Sequence, residues 1–289
     1  MMSTFFTLAL DGISNSALYF LMAAGLTLIF GLLRVINFAH GGLFVWGAYA
    51  ATFLYSAMHQ FWLSLCAGIL IGGLLGWLLE RGLLTAVYGD GNQQLLLTMG
   101  VLILLSELIE IPFGRDPVLA TVPPILHHSW VIDHVTIVAY SLFTIGMGAC
   151  IFGILVYLLQ KTRVGLIIRA GVNNQSLVEA RGIPIRRLFT IVFLLGAALA
   201  GFAGALAGPY YGSITPSMGM DMQLNAFITV VLGGLGSLSG SLIGSLLIGL
   251  TTSFVSYYTP SFAVLANVLL MTLVLLVRPQ GLFGEGEIV

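Results

Sequence analysis

Charge is what this sequence has least of. Only 7% of its 289 residues are Asp, Glu, Lys or Arg, against about 25% in a typical soluble domain. Lysine occurs once, at Lys161. Ten basic and 11 acidic side chains cannot clothe a water-soluble fold of this length. A hydrophobic content of 58% and a mean hydropathy of +1.06 place the chain in a bilayer instead. The net charge of −1 carries no footprint for nucleic acid. Cysteine is nearly absent too. Cys66 and Cys150 fall inside apolar runs, where small buried hydrophobes are expected rather than a disulfide or metal pair. Catalytic signatures are missing. There is no GxSxG elbow and no HExxH helix, and the lone lysine follows Gln160 rather than glycine, so this chain cannot hydrolyse ATP through a P-loop. The N-terminus lacks a positive leading region and its apolar run is too long for a signal peptide, which predicts a retained first helix. No linker or low-complexity tract divides residues 1–289, so a single domain is expected.

What is present is a series of apolar runs at 5–33, 41–58, 61–79, 94–113, 135–159, 188–207, 221–233, 238–257 and 261–277. Most approach the roughly 20 residues that a spanning helix needs. The run 221–233 is too short to span alone. The expectation is an all-α polytopic membrane protein with about eight transmembrane helices and one short, broken or re-entrant helix. Lys and Arg set its orientation. The richest loop, 160–187, holds Lys161, Arg163, Arg169, Arg181, Arg186 and Arg187 and is expected in the cytoplasm. Counting outward puts Arg34, Arg81 and Arg278 on the same side and Arg115 alone outside, with the N-terminus outside and the C-terminus inside. The outside loop 114–134 holds three of the five histidines, at spacings that read as a solvated loop rather than a metal site.

Two runs are interrupted in the same manner. The first reaches a polar, glycine-bearing break at Asn37–Gly42 and resumes; the sixth reaches "GPYYGSITPSMGMDM", 208–222, and resumes. One break lies on the inner side and the other on the outer side, the pattern of an inverted repeat. Polar residues beside such breaks are costly in hydrocarbon and therefore informative. Asn37 and His40 follow the first helix, and Asn225 and Thr229 lie one turn apart on the short one. These four are the candidates for a pathway or its gates, although a histidine in a membrane also serves as a plain hydrogen-bond donor. Glu107 and Glu110 share a face near the outer end of the fourth helix, where a structural role is as well motivated as a functional one. The small-residue stretches 196–208 and 240–249 predict close helix contacts. "GGLGSLSG", 233–240, lacks the preceding strand of a dinucleotide loop and reads as a tight reversal.

The stretch "RAGVNNQSLVEARGIPIRRL", 169–188, is too polar for lipid. Its spacing allows a short helix that Gly182 ends in a left-handed cap and Pro184 prevents from continuing. It reads either as a charged loop obeying the positive-inside rule or as a docking helix for a cytoplasmic partner.

"GLTLIFGLLRVINFAHGGLFVWGAYA" (25–50), "RAGVNNQSLVEARGI" (169–183), "GAALAGFAGALAGPYYGSITPSMG" (196–219), "FITVVLGGLGSLSGSLIGSLLIGL" (227–250) and "LVRPQGLFG" (276–284) resemble the LivH-type permease subunits of branched-chain amino acid ABC transporters, over essentially the whole chain. Urea and short-amide permeases share these motifs. The resemblance implies a non-enzymatic translocation subunit in the bacterial inner membrane. It implies a second permease subunit of a different chain, two cytoplasmic ATPase subunits that carry ATP and Mg, and a periplasmic substrate-binding protein. This chain itself is expected to hold no cofactor. The resemblance also makes 169–188 the ATPase-coupling segment, with Asn173, Glu179, Arg181, Gly182 and Ile183 as its candidate contacts. The chain departs from the family pattern at Leu177 and Val178, which are larger than expected, and at Gly42, where relatives often carry an acid. Hydrophobic amino acids are the expected cargo; urea, an amide or another small organic solute is the alternative. An ion-coupled carrier would need paired midplane carboxylates, and Glu107 and Glu110 sit toward one end.

Overall fold

A backbone N–H or C=O in hydrocarbon has no water to turn to, so apolar runs satisfy their own hydrogen bonds as helices. The computed structural model describes residues 2–132, 134–173, 178–179, 181–182 and 184–284. The helices are α1 (Met2–Leu33), α2 (His40–Met58), α3 (Phe61–Gly82), α4 (Gly91–Phe113), α5 (Ala139–Lys161), α6 (Arg163–Asn173), α7 (Ile185–Tyr211), α8 (Met218–Gly233), α9 (Leu238–Tyr258) and α10 (Ala263–Val277). Their ends follow local chemistry. The Asp90 side chain accepts from the N–H groups of Asn92 and Gln93, both at 3.1 Å, and opens α4. Ser237 accepts from the Gly240 N–H at 3.0 Å and opens α9. Gly212, at φ 76°, ends α7 just after Pro209.

Two short antiparallel pairings lie at one end of the bundle. β1 (Val118–Leu119) pairs with β4 (Ser213–Ile214), so the segments after α4 and α7 meet there. β2 (Ser129–Ile132) and β3 (Val135–Val138) form a hairpin at the same end. This will be called the hairpin end; α6 and the start of α7 mark the opposite end.

The helices divide into two sets of four, α1–α4 and α7–α10, built alike. A long helix is followed by a non-helical return, a shorter interior helix, a third helix running back and a fourth at the rim. The first helix of each set packs mainly on the third helix of the other. Gly12 of α1 meets Leu250 and Gly249 of α9, and Gly201 of α7 meets Gly68 and Gly72 of α3. With no β-carbons at these points the helix backbones approach closely, which is the chief cohesion available where lipid tails are as apolar as leucine. The two broken runs of the sequence open α2 and α8, the second helix of each set. α1 is central, with 83% of its most apolar stretch buried, whereas α10 is peripheral at 11%.

The structure departs from the sequence expectation in four places. Among the described residues seven helices, not eight, are long and apolar enough to cross a membrane. The eighth, α2, is 19 residues long. It is sheathed by α3, α4, α7 and α8 and so needs no lipid-compatible surface, which lets it carry His40, Gly41, Gly42 and Tyr49. Residues 135–138 are a strand rather than the start of α5, because the β-branched run Val-Thr-Ile-Val pairs with 129–132. α6 is an additional helix, with Arg163 and Arg169 exposed and Ile168 buried. Cys66 and Cys150 are exposed rather than buried; they sit on outer faces of α3 and α5, where the surroundings are themselves apolar.

At the end opposite the hairpin the chain's last described segment returns to α8. The N–H groups of Leu282 and Phe283 donate to the carbonyls of Leu232 and Gly233, both at 2.9 Å. Two of the carbonyls left open at the end of α8 are thereby satisfied.

Candidate functional site

α1 ends at Leu33, and Arg34 adopts φ 52°. Residues 34–39 then turn back into the protein, with Val35, Asn37 and Ala39 fully buried. α2 starts beside Gly25, where a β-carbon would lie 2.7 Å from His40 Nε2 and 2.7 Å from the Gly196 carbonyl oxygen. Gly25 lies eight residues before the end of α1, about 12 Å back along its axis. α2 is therefore a helix that begins inside the molecule and runs toward the hairpin end. α8 mirrors it. Residues 212–217 return from the hairpin end of α7, and α8 begins against α2. A β-carbon on Gly219 would lie 2.6 Å from the Gly41 carbonyl oxygen, and one on Gly41 would overlap the Gly219 carbonyl. The first turns of two half-helices thus abut in the interior.

Polar side chains cluster at this joint. Gln223 Nε2 of α8 donates to the Asn37 carbonyl at 3.4 Å. Both side-chain atoms of Asn37, both ring nitrogens of His40 and Oε1 of Gln223 are buried without a hydrogen-bond partner among the described residues. The Met22 carbonyl approaches the His40 ring without the geometry of a hydrogen bond. Buried polar groups are ordinarily paired, so this cluster of exceptions stands out from the surrounding core.

The other two candidates lie elsewhere. Thr229 Oγ1 donates to the Asn225 carbonyl at 2.7 Å, one turn back on α8. Asn225 Oδ1 accepts from Asn267 Nδ2 of α10 at 3.0 Å, and the same nitrogen donates to Thr252 Oγ1 of α9 at 2.9 Å. The four residues therefore form two groups, Asn37 with His40 at the joint and Asn225 with Thr229 along α8. All four are buried in this conformation. Sequence reading missed Gln223 and Asn267. Asn267 is the sole amide in the apolar run 261–277, and that isolation was a readable signal.

At the opposite end, Gly182 has φ 78°, and beyond its chain neighbours no atom of the described residues lies within 4 Å of where a β-carbon would sit. Its N–H donates to the Glu179 carbonyl at 2.8 Å. Pro184 precedes the first residue of α7. Glu179 and Arg181 are exposed and Val178 is buried. Ile183 and the side chain of Asn173 lie outside the described residues. Close by, the buried Glu80 of α3 accepts from Tyr88 Oη at 3.0 Å and from Thr190 Oγ1 of α7 at 3.1 Å. Burial and the Glu80 carboxylate push the Tyr88 hydroxyl above its usual pKa, so it stays a donor. Glu80 thereby pins the first turns of α7 to α3. Gly42 faces Leu105, whose Cδ1 would lie 2.8 Å from a β-carbon, so this packing leaves no room for an acid there.

Among the described residues no three His, Cys, Asp or Glu side chains converge. The one ion pair described, Arg115 with Glu110, sits at the hairpin end. Two half-helices therefore abut through glycine backbones beside a knot of buried polar groups.

Residues 8–278 match the family described as branched-chain amino acid transport system / permease component. The chain is similar to the high-affinity branched-chain amino acid transport system permease protein LivH of Escherichia coli (strain K12), at 30% identity over 96% of this chain and 95% of that one. It is similar to BraD of Pseudomonas aeruginosa, at 27% identity over 96% and 95%. A probable LivH of Methanocaldococcus jannaschii is 29% identical over 93% and 89%. Among solved structures, PsaBC from Streptococcus pneumoniae, in complex with Fab, superposes with a TM-score of 0.51 at 15% identity, over 93% of this chain and 91% of that chain, which is a likeness of fold. With the half-helices, the glycine-packed bundle and the family match over most of its length in agreement, the chain belongs to the permease components of branched-chain amino acid transport systems.

Proposed function

We propose that this chain forms the translocation path of an ATP-driven importer that carries branched-chain and other hydrophobic amino acids across the bacterial inner membrane. The observation that carries the reading is the pair of half-helices whose first turns abut inside the bundle. A discontinuous helix places free backbone ends and polar side chains at depth, which is tolerated where they line a pathway. Asn37 and His40 at the joint, and Asn225 and Thr229 along α8, act as lining or gate. Asn37 and His40 gain partners for their side chains when α2 and α8 separate.

Energy reaches the path from outside the chain. Two cytoplasmic ATPase subunits bind ATP and Mg and dock on 169–188, with Glu179, Arg181 and Gly182 at the contact and Asn173 and Ile183 completing it. Glu80, by tying α7 to α3, makes the receiving end stiff enough to move as a unit. A second, different permease subunit completes the path, and a periplasmic binding protein delivers cargo to the hairpin end. In this orientation the N-terminus and 114–134 are outside, and 160–187 and the C-terminus are inside.

The test is purification of the tagged chain from its native membrane, followed by reconstitution. ATPase subunits and a second permease should co-purify. Proteoliposomes containing the complex should accumulate L-leucine when given ATP and the binding protein. Uptake driven by an ion gradient without ATPase subunits would refute the reading.

A further inference from the structure

At the hairpin end, α1, α7 and α9, with Val138 and Ser141, line an open cleft of about 520 Å³, within the roughly 300–1,000 Å³ of small-molecule sites. The mechanism above does not use it. Its wall carries the carboxylate of Asp11, half-buried and without a cationic partner among the described residues. Tyr210 and Tyr211 stand beside it with ring centroids 5.0 Å apart, and Tyr257 lines the opposite wall from α9. Tyr210 Oη donates to the Asp11 carbonyl at 3.1 Å and Tyr211 Oη to Asn15 Oδ1 at 2.6 Å, so both rings are held in place. Leu8 and Val138 supply an apolar flank. The cavity leads inward as well: Thr252 lines it and accepts from Asn267, which also donates to Asn225 of α8.

We propose that this vestibule is an entry subsite for the ammonium group of an aliphatic amino acid, with the Asp11 carboxylate and the neighbouring tyrosine rings holding the cation and Leu8 and Val138 receiving the side chain. The Asp11 carboxylate is half withdrawn from water and faces no basic side chain among the described residues, so it is free to accept a charge-assisted hydrogen bond from an ammonium. Aromatic faces add attraction for a desolvated ammonium. The inference deepens the amino-acid reading and rests on it.

The test measures occupancy directly, apart from transport. In the assembled importer in nanodiscs, with Cys66→Ala and Cys150→Ala as background, Ser256→Cys is labelled by a neutral methanethiosulfonate. L-Leucine and isopentylammonium should slow labelling, whereas 4-methylpentanoate, which keeps the carboxylate and lacks the ammonium, should not. Asp11→Asn should raise the half-protecting concentration by about tenfold, the loss of one charge-assisted contact, and Asp11→Glu should largely restore it. Equal protection by both analogues, protection by 4-methylpentanoate alone, no protection by the ammonium, or protection indifferent to Asp11→Asn would each overturn the subsite. The comparison of analogues needs no change at Asp11, so a misfolded variant does not rescue the idea. If the ammonium subsite behaves as stated while reconstituted complexes take up no L-leucine, the cargo assignment fails and the subsite stands.

Discussion

The contact between the half-helices can be tested by giving it one carbon too many. In Gly41→Ala the new methyl would overlap the Gly219 carbonyl oxygen, lie 2.8 Å from Gln223 Cβ and lie 3.0 Å from the Gly219 carbonyl carbon. These neighbours are backbone atoms and a β-carbon, so no rotamer change moves them away. Comfortable carbon contacts begin near 3.5 Å, so α2 and α8 must separate by roughly 0.5–1 Å. Overpacking of this kind costs about 1–3 kcal/mol. Alanine's advantage over glycine in a helix interior is about 1 kcal/mol, and smaller in a first turn, so the clash wins. Gly100 of α4 and Gly153 of α5 supply the opposite case, since nothing lies within 4 Å of either added methyl. Alanine at those positions should be neutral or stabilising by up to about 1 kcal/mol. Thermal melting of the purified protein separates the two outcomes: Gly41→Ala should melt roughly 2–4 °C lower for each kcal/mol lost, and the controls should melt at or above wild type. If Gly41→Ala matched the controls, α2 and α8 would not meet at this point and the joint would have to be abandoned.

Simultaneous alanine substitution of Asn37, His40, Asn225 and Thr229 should depress ATP-driven leucine uptake while the complex still assembles; wild-type uptake would remove these side chains from the path. Gly182→Leu meets no steric obstacle but holds a side chain at φ 78°, a strain of about 1–2 kcal/mol, so substrate-stimulated ATPase activity and uptake should fall while the affinity of the binding protein is unchanged. Retention of both activities would reduce 169–188 to an ordinary charged loop. His128→Cys in a cysteine-free background should react with an impermeant maleimide in intact cells, and reaction only after permeabilisation would invert the orientation.

Helix order was legible because hydrophobicity in lipid reports a local need. Each apolar run had to close its own hydrogen bonds, and all nine runs appear as helices in sequence order. Depth was not legible. The run 41–58 has nearly the length of a span wherever it begins, and only the contact of His40 with Gly25 shows that it starts inside. The same long-range packing hid the shortage of lipid-facing character in α2, whose neighbours stand between it and the membrane. At the joint, Asn37 and His40 stood out as polar groups beside a break. Gln223 did not, because its importance comes from a carbonyl 186 positions away. Gly182 was readable because a left-handed cap before Pro184 is a matter of a few neighbouring residues, and it has the expected backbone conformation. Asp11 is the sole charge in the run 5–33, but its surroundings were not legible, because the cleft exists only once α7 and α9 pack beside α1.

The meeting of two first turns has an electrostatic side. Each helix start carries about half a positive charge from its aligned peptides. Two such ends roughly 5 Å apart repel by about 1 kcal/mol at an effective dielectric constant near 20. Glycine backbones touching at Gly41 and Gly219 must hold the pair together against that push. The seam therefore behaves as a compressed spring, and its first ångström of opening is helped from within. If a stroke arrives from the far end of the bundle, as proposed, it has less to supply at the start of its travel than the tightness of the packing suggests.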